Sequence, residues 1–156
     1  MTPLPQHLPR AALEAVANGV VITDAHGTIL WVNAAFTRMT GYALDEVIGK
    51  NPRLLKSGEH PTVFYEGLWA TIVSGNSWTG EMTNRRKDGS TYVEEQTITP
   101  VRGAGGMISH FIAVKQDRTV RRRADEALRR SEERYRLLAE HISDVIGLYD
   151  LGLNTV

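Results

Sequence analysis

The sequence predicts an α+β fold: a five-stranded antiparallel sheet with short helices packed on one face, followed by a long C-terminal helix. Two β-branched runs precede three longer strand-like runs, Gly- and Pro-punctuated helical pieces lie between the two groups, and an arginine-rich segment without Gly or Pro closes the chain. At 156 residues and 42% hydrophobic content, the chain is long enough for one domain with a real core plus an appendage.

Leu8, Ala12, Leu13 and Val16 recur at helical spacing, and Asn18-Gly19 stops that leading amphipathic helix. Val20 to Thr23 and Thr28 to Val32 read as strands joined by the turn Asp24-Ala25-His26-Gly27. From Asn33 to Gly58 the glycines and Pro52 leave room only for helical pieces of a turn or two. His60 to Ser74 is the one sustained helix, with Val63, Phe64, Leu68, Ile72 and Val73 as its apolar face and Pro61 in its first turn. Ser77 to Arg86, Ser90 to Arg102 and Met107 to Asp117 follow as strands separated by Lys87-Asp88-Gly89 and Gly103-Ala104-Gly105-Gly106.

Arg118 to Arg136 holds eight arginines and four carboxylates, the composition of a solvated helix. Ala124, Leu128, Ser131, Tyr135, Leu138 and Ile142 alternate at three- and four-residue spacings, which is a coiled-coil seam. Leu13 to Asp24 and Ala139 to Asp150 share an apolar pattern and a final aspartate, so the chain is expected to end just inside a second, similar domain. The expected divisions are an N-terminal extension with its helix (1–18), the main domain (19–119), a coiled-coil linker (120–143) and the truncated start of the second domain (144–156).

Several function classes drop out on composition. Lys plus Arg equals Asp plus Glu at 18 each, so nothing points to nucleic acid or an acidic membrane. With no cysteine there is no disulfide, thiolate metal site or thiol nucleophile. No run approaches a membrane span and Met1 to Pro9 is not a secretory signal, which sets the expected location as the cytoplasm. No nucleophile and base pair, phosphate loop or metal-ligand spacing is present, so the fragment is expected not to be an enzyme.

Asn33-Ala34-Ala35-Phe36, Thr40-Gly41-Tyr42, Gly49 to Leu55, Trp78-Thr79-Gly80-Glu81, Asn84 to Gly89 and Asp117-Arg118-Thr119 together resemble a PAS domain, a sensory fold of bacterial signalling proteins. The resemblance covers about Ala11 to Thr119. Asn51 to Lys56 is similar to the helix bearing the reactive cysteine of the LOV photoreceptor branch, but Pro52 stands at the cysteine's place and excludes adduct photochemistry. Around Trp69 and Trp78 the chain looks more like FAD-holding, redox-responsive PAS domains. The resemblance implies FAD as cofactor, a homodimer through the N-terminal helix, the outer sheet face and the coiled coil, and an output domain downstream in the same parent chain.

A flavin needs an apolar slot, amide-like partners and phosphate donors. If Asn84 points inward, strand alternation turns Trp78, Gly80 and Met82 inward with it, and the likeness to LOV sheets adds Glu94, Gln96 and Ile98 from the next strand. Val21 and Thr23 come from the first strand, Phe111, Ala113 and Lys115 from the last, and Asn51, Arg53, Leu54 and Leu55 from the covering helix; Asn33, Phe36 and Trp69 complete the expected site. Asn84 and Asn51 serve equally well as turn and helix caps, and Trp78 as core. Glu94 and Gln96 on an inward strand face need a polar ligand or waters to answer them. Lys115 takes the place of a glutamine that faces the flavin N5 and O4 edge in the LOV branch; the alternative is that it snorkels to solvent. Asp117 and Thr119 are expected to pin the domain to the following helix. Haem through His60 and a cofactor-free dimerisation module are the rival readings.

Overall fold

The structure is a computed structural model and describes residues 8–153. The first helix, α1 (Leu8–Ala15), leads into β1 (Gly19–Asp24) and β2 (Ile29–Val32), which pair antiparallel. Their turn is held by Asp24, whose Oδ1 accepts the backbone N–H of His26 and of Thr28 at 2.9 Å each. Three helical pieces follow, α2 (Ala34–Thr40), α3 (Leu44–Val47) and a 3-10 turn at Pro52–Leu55, and then α4 (Thr62–Val73). The strands β3 (Trp78–Arg85), β4 (Thr91–Arg102) and β5 (Ile108–Asp117) complete one antiparallel sheet in the order β2-β1-β5-β4-β3. The expected fold class and strand order along the chain are those observed.

The core sits at the β1–β2 end, where Val21, Ile29 and Val32 meet Phe36 of α2, Val47 of α3 and Leu55. Asn33 locks this corner. Its Oδ1 accepts the N–H of Phe36 at 3.0 Å as the cap of α2 and the N–H of Val20 at 2.8 Å from β1. Its amide donates to the carbonyls of Leu13 and Asn18, each at 3.0 Å, so one buried side chain ties the end of α1, the start of β1 and α2 together.

On α4 the sheet-facing side differs from the expected one. Leu68 and Ile72 of the expected face do turn inward, but Val63 and Val73 are 68% and 47% exposed, and Tyr65 and Trp69 complete the inward i, i+3, i+4, i+7 set.

The C-terminal helix α5 (Thr119–Leu153) is continuous. The stretch from Val145 to Asp150, which the internal repeat aligns with the β1 residues Gly19 to Asp24, continues the helix: a lone strand has no ladder partner, whereas a helix satisfies its own backbone. The residues of α5 from Val120 onward form a separate compact unit, apart from the sheet domain that ends at Thr119. Along its expected seam Leu128, Tyr135, Leu138 and Ile142 are more than half exposed, and Arg122 pairs with Glu126 at 3.8 Å one turn on. The extension before Leu8 and residues 154–156 lie outside the described residues.

Replacing Asn33 by Ala removes the cap of α2 and strands the buried Val20 N–H. Urea unfolding should show a loss of about 2 to 4 kcal/mol; a loss within the scatter of surface substitutions would mean that water replaces the side chain.

Candidate functional site

A cavity of about 480 Å³ lies between α4 and the sheet, within the usual range for small-molecule sites. Its walls are mostly apolar, from Leu68, Trp69 and Ile72 of α4, Ile98 of β4, and Phe111 and Ala113 of β5. Trp69 packs at a tilt against Phe111 with ring centroids 5.7 Å apart. At one end the β1–β2 turn comes close to α4. A Cβ on Gly27 would stand 3.0 Å from Asn51 Nδ2 and 3.5 Å from the Trp69 ring, and Gly27 has φ +84°, so both the turn and the close approach require glycine. His26, Asn51, Arg53 and Lys56 surround the mouth, with the ammonium of Lys56 3.7 Å from the centre of the Tyr65 ring.

The sheet side of the cavity is polar. Because side chains alternate along a strand, Tyr92, Glu94 and Gln96 of β4 share the inward face, opposite Asn84 and Met82 of β3 and Lys115 of β5. Lys115 is 3% exposed, and its Nζ donates to Glu94 Oε1 at 2.6 Å and to Gln96 Oε1 at 2.8 Å. Glu94 Oε1 also accepts from Asn84 Nδ2 at 2.9 Å, and the Gln96 amide donates to the Met82 sulfur at 3.3 Å. Glu94 is fully buried behind the cavity surface, and its Oε2 has no hydrogen-bond partner among the described residues. The Tyr92 hydroxyl is likewise unpartnered; burial, and then the nearby Glu94 carboxylate, push its ionisation far above the ordinary phenol range.

Of the expected site residues, Thr23, Asn51, Arg53, Trp69, Met82, Asn84, Gln96, Phe111 and Lys115 line the cavity. Asn33, Phe36, Leu54 and Leu55 do not. Asn33 is spent on the corner described above, while Phe36 and Leu55 are core and Leu54 packs against it, because a single 3-10 turn cannot aim four consecutive side chains at one side. Trp78 shares the inward face but stands outside the cavity, edge-on to Phe64 at 5.8 Å and across Gly80, where a Cβ would meet its ring at 2.7 Å. Lys115 answers one oxygen of Glu94 and the carbonyl of Gln96, and Asn84 adds a second bond to the same Glu94 oxygen, while Glu94 Oε2 has no partner among the described residues; Lys115 does not snorkel out. His26, Gly27, Pro52, Lys56, Tyr65, Leu68 and Ile72 were not among the expected site residues. The helical spacing of Tyr65, Leu68 and Ile72 carries a usable signal, whereas nothing in a turn sequence places His26 at a cavity mouth.

His60, the residue on which haem would depend, accepts the Thr83 N–H through Nε2 at 2.8 Å and stacks on Phe64. It is absent from the cavity wall, and no metal-ligand cluster occurs among the described residues.

The joint between sheet and helix is built on the backbone of β4 at Val93, on Glu95, which points away from the cavity, and on Asp117 at the end of β5. Thr119 Oγ1 accepts the Val93 N–H at 3.1 Å, the Arg118 N–H donates to the Val93 carbonyl at 2.8 Å, and the Arg118 guanidinium pairs with Glu95. Asp117 accepts the Thr119 N–H at 2.8 Å and the Arg86 guanidinium at 2.6 Å, and Arg86 in turn lies over the Tyr92 ring at 4.5 Å.

With sheet order, cavity and joint in place, comparison with known proteins gives a consistent result. Residues 8–118 match the family described as PAS fold. The chain belongs to the PAS family. The nitrogen fixation regulatory protein of Klebsiella oxytoca is 35% identical over 117 residues, 75% of this chain and 24% of that protein. A blue-light-activated histidine kinase of Brucella canis is 30% identical over 114 residues, 71% of this chain and 23% of the kinase. Among solved structures, an RNA-binding light-oxygen-voltage receptor superposes with a TM-score of 0.72 at 26% identity, over 85% of this chain and 41% of that one. The PAS domain of a Colwellia psychrerythraea protein superposes with a TM-score of 0.64 at 26% identity, over 72% of this chain and 95% of that one. The chain therefore spans about a quarter of the curated relatives it matches, and it is a sensory PAS domain of the kind found in regulatory signalling proteins.

The hydrogen bonds from Thr119 and Arg86 outweigh the burial that opposes them and hold the Asp117 carboxyl below its ordinary value. A lowered folded-state value means stability that is present above the ordinary carboxylate range, about 3.9, and is lost as pH falls through the folded value. Wild type should exceed Asp117→Asn in denaturation midpoint at neutral pH, and the gap should close on acidification; a gap that does not change with pH would assign the difference to shape, not charge.

Proposed function

We propose that this domain binds FAD in the cavity and relays the ligand's redox state or occupancy, through Asp117 and Thr119, into α5 and on to an output domain of the same parent chain. The observation that carries the reading is the polarity of the cavity: an apolar slot, a hydrogen-bonding floor of zero net charge and a basic mouth. That distribution suits a ligand with an uncharged ring system and a charged tail. Asn84, Gln96 and Lys115 would meet the pyrimidine edge of the flavin, Trp69, Phe111, Leu68 and Ile72 would enclose its rings, and Arg53, with His26 and Lys56, would stand near its phosphates. When bound, a flavin supplies reversible electron uptake. The residues of the chain supply water exclusion and a fixed electrostatic environment, and no catalytic role is assigned to them. A relative named for blue-light activation agrees with a flavin-type ligand.

The parent is proposed to be a cytoplasmic bacterial protein, with no helix among the described residues long and apolar enough to cross a membrane. Dimerisation is assigned to α1, the outer sheet face with Ile112 and Val114, and the seam of α5, and residues 144–156 to the entry of a second PAS domain. The cofactor-free alternative keeps the dimer and discards the ligand.

Absorbance of the purified chain separates the readings. Structured bands near about 450 nm, roughly where protein-held flavins absorb, are expected; a blank spectrum that added FAD does not change would leave the dimerisation module. In the FAD-loaded chain, Lys115→Met should lower the midpoint potential by tens of millivolts, since about 30 mV corresponds to 1.4 kcal/mol for a two-electron couple. The expectation is sharpened by the structure, because the substitution also leaves Glu94 without its cation.

A further inference from the structure

The floor of the cavity contains one charged side chain that reaches its surface, Lys115, and one that does not, Glu94. Their separation is 2.6 Å, both are at least nine-tenths buried, and together they carry no net charge. An ammonium has three hydrogens; two are given to Glu94 Oε1 and Gln96 Oε1, which leaves one for a ligand. A carboxylate or phosphate placed against that hydrogen would come close to a second carboxylate, whose Oε2 is buried and has no donor among the described residues to offset it. It would also surrender its hydration to Trp69, Phe111, Leu68 and Ile72. A neutral carbonyl takes the same hydrogen without that repulsion. Gln96 can add a second donor, because its amide rests on the Met82 thioether, a weak acceptor that a carbonyl oxygen outcompetes.

We infer that Glu94 is the residue that sets ligand specificity: by compensating Lys115 from behind the cavity wall, it rejects anions at the floor and selects ligands that present an uncharged carbonyl or amide edge there. Without Glu94 the same lysine would make the floor an anion site. The inference rests on the reading of the cavity as a ligand site, but not on that ligand being FAD.

The test uses the full 156-residue chain, freed of any flavin that accompanies it, and two probes of nearly one shape, benzamide and benzoate. Wild type should bind benzamide at least about tenfold more tightly than benzoate, a preference of about 1.4 kcal/mol, as read by chemical-shift titration of the cavity resonances. Glu94→Gln keeps an acceptor oxygen for Lys115 and Asn84, removes the charge and should reverse the preference. Combining it with Lys115→Met should restore benzamide. The inference is overturned if wild type binds benzoate as well as benzamide, if a folded Glu94→Gln leaves the ratio where it was, or if wild type takes up neither probe. The wild-type ratio needs no variant and decides the matter even if Glu94→Gln does not fold. FAD absorbance is scored apart: benzamide selection with no FAD uptake keeps the filter and discards the flavin, and FAD uptake with equal binding of the two probes does the reverse.

Discussion

A lysine and a glutamate that face the interior of a sheet cannot be accommodated singly. Either ion alone, removed from water among Phe111, Met82 and Ile98, would destabilise the fold by several kcal/mol, and breaking such a pair costs about 3 to 5 kcal/mol. Lys115 and Glu94 are therefore tolerable only together and only with Asn84 and Gln96 to complete their hydrogen bonds. The requirement reaches outward. It fixes the register of β4 against β5, where Gln96 lies opposite Lys115, and of β3 against β4, where Met82 lies opposite Glu94. A one-residue slip would put Lys115 on the face opposite Glu94 and Gln96 in the one pairing, or Asn84 on the face opposite Glu94 in the other. The pair also spends interior volume on polar groups instead of on hydrophobic packing, which is why the compact apolar core is confined to the β1–β2 end and a cavity occupies the rest.

How much of this was legible without coordinates follows from which signals are periodic. Strand alternation linked Met82 to Asn84 and Phe111 to Lys115, because a two-residue period leaves little freedom once a single member is oriented, and the likeness to LOV sheets supplied the orientation of Gln96 and Lys115. The stretch from Asn33 to Gly58 behaved otherwise. Its pieces are too short for a period, so Phe36, Leu54 and Leu55 could not be sorted between core and cavity, and the four hydrogen bonds of Asn33 to three separate segments have no local sequence mark. On α4, hydrophobicity pointed to Val63 and Val73, while the face actually used carries an aromatic hydroxyl, Tyr65, and an indole, Trp69. The identity of the partner for Lys115 was out of reach for another reason. It depends on cross-strand register, which turn lengths suggest but bulges change, as at Val101/Arg102.

The two faces of β4 carry different duties within five residues. Tyr92, Glu94 and Gln96 belong to the cavity side, whereas Val93 and Glu95 hold Thr119 and Arg118. Ligand site and joint are thus separated by the thickness of a backbone, and Arg86 spans both, stacked on Tyr92 and paired with Asp117. Under the proposed relay, a displacement of this strand would reach both sides at once, with no chain of intermediate residues needed between them.

The same alternation bears on how such domains diversify. Because Tyr92, Glu94 and Gln96 share the cavity side of β4 while the Glu95 side chain points the other way and binds Arg118, a change on one face leaves the other in place. Moving the floor of the cavity into a recipient would require Asn84, Glu94, Gln96 and Lys115 together, from three adjacent strands, while the attachment through Glu95 and the Val93 backbone is left untouched. Such a sheet can change the chemistry of its cavity only as a connected set of side chains, and can do so without disturbing the attachment on its other side.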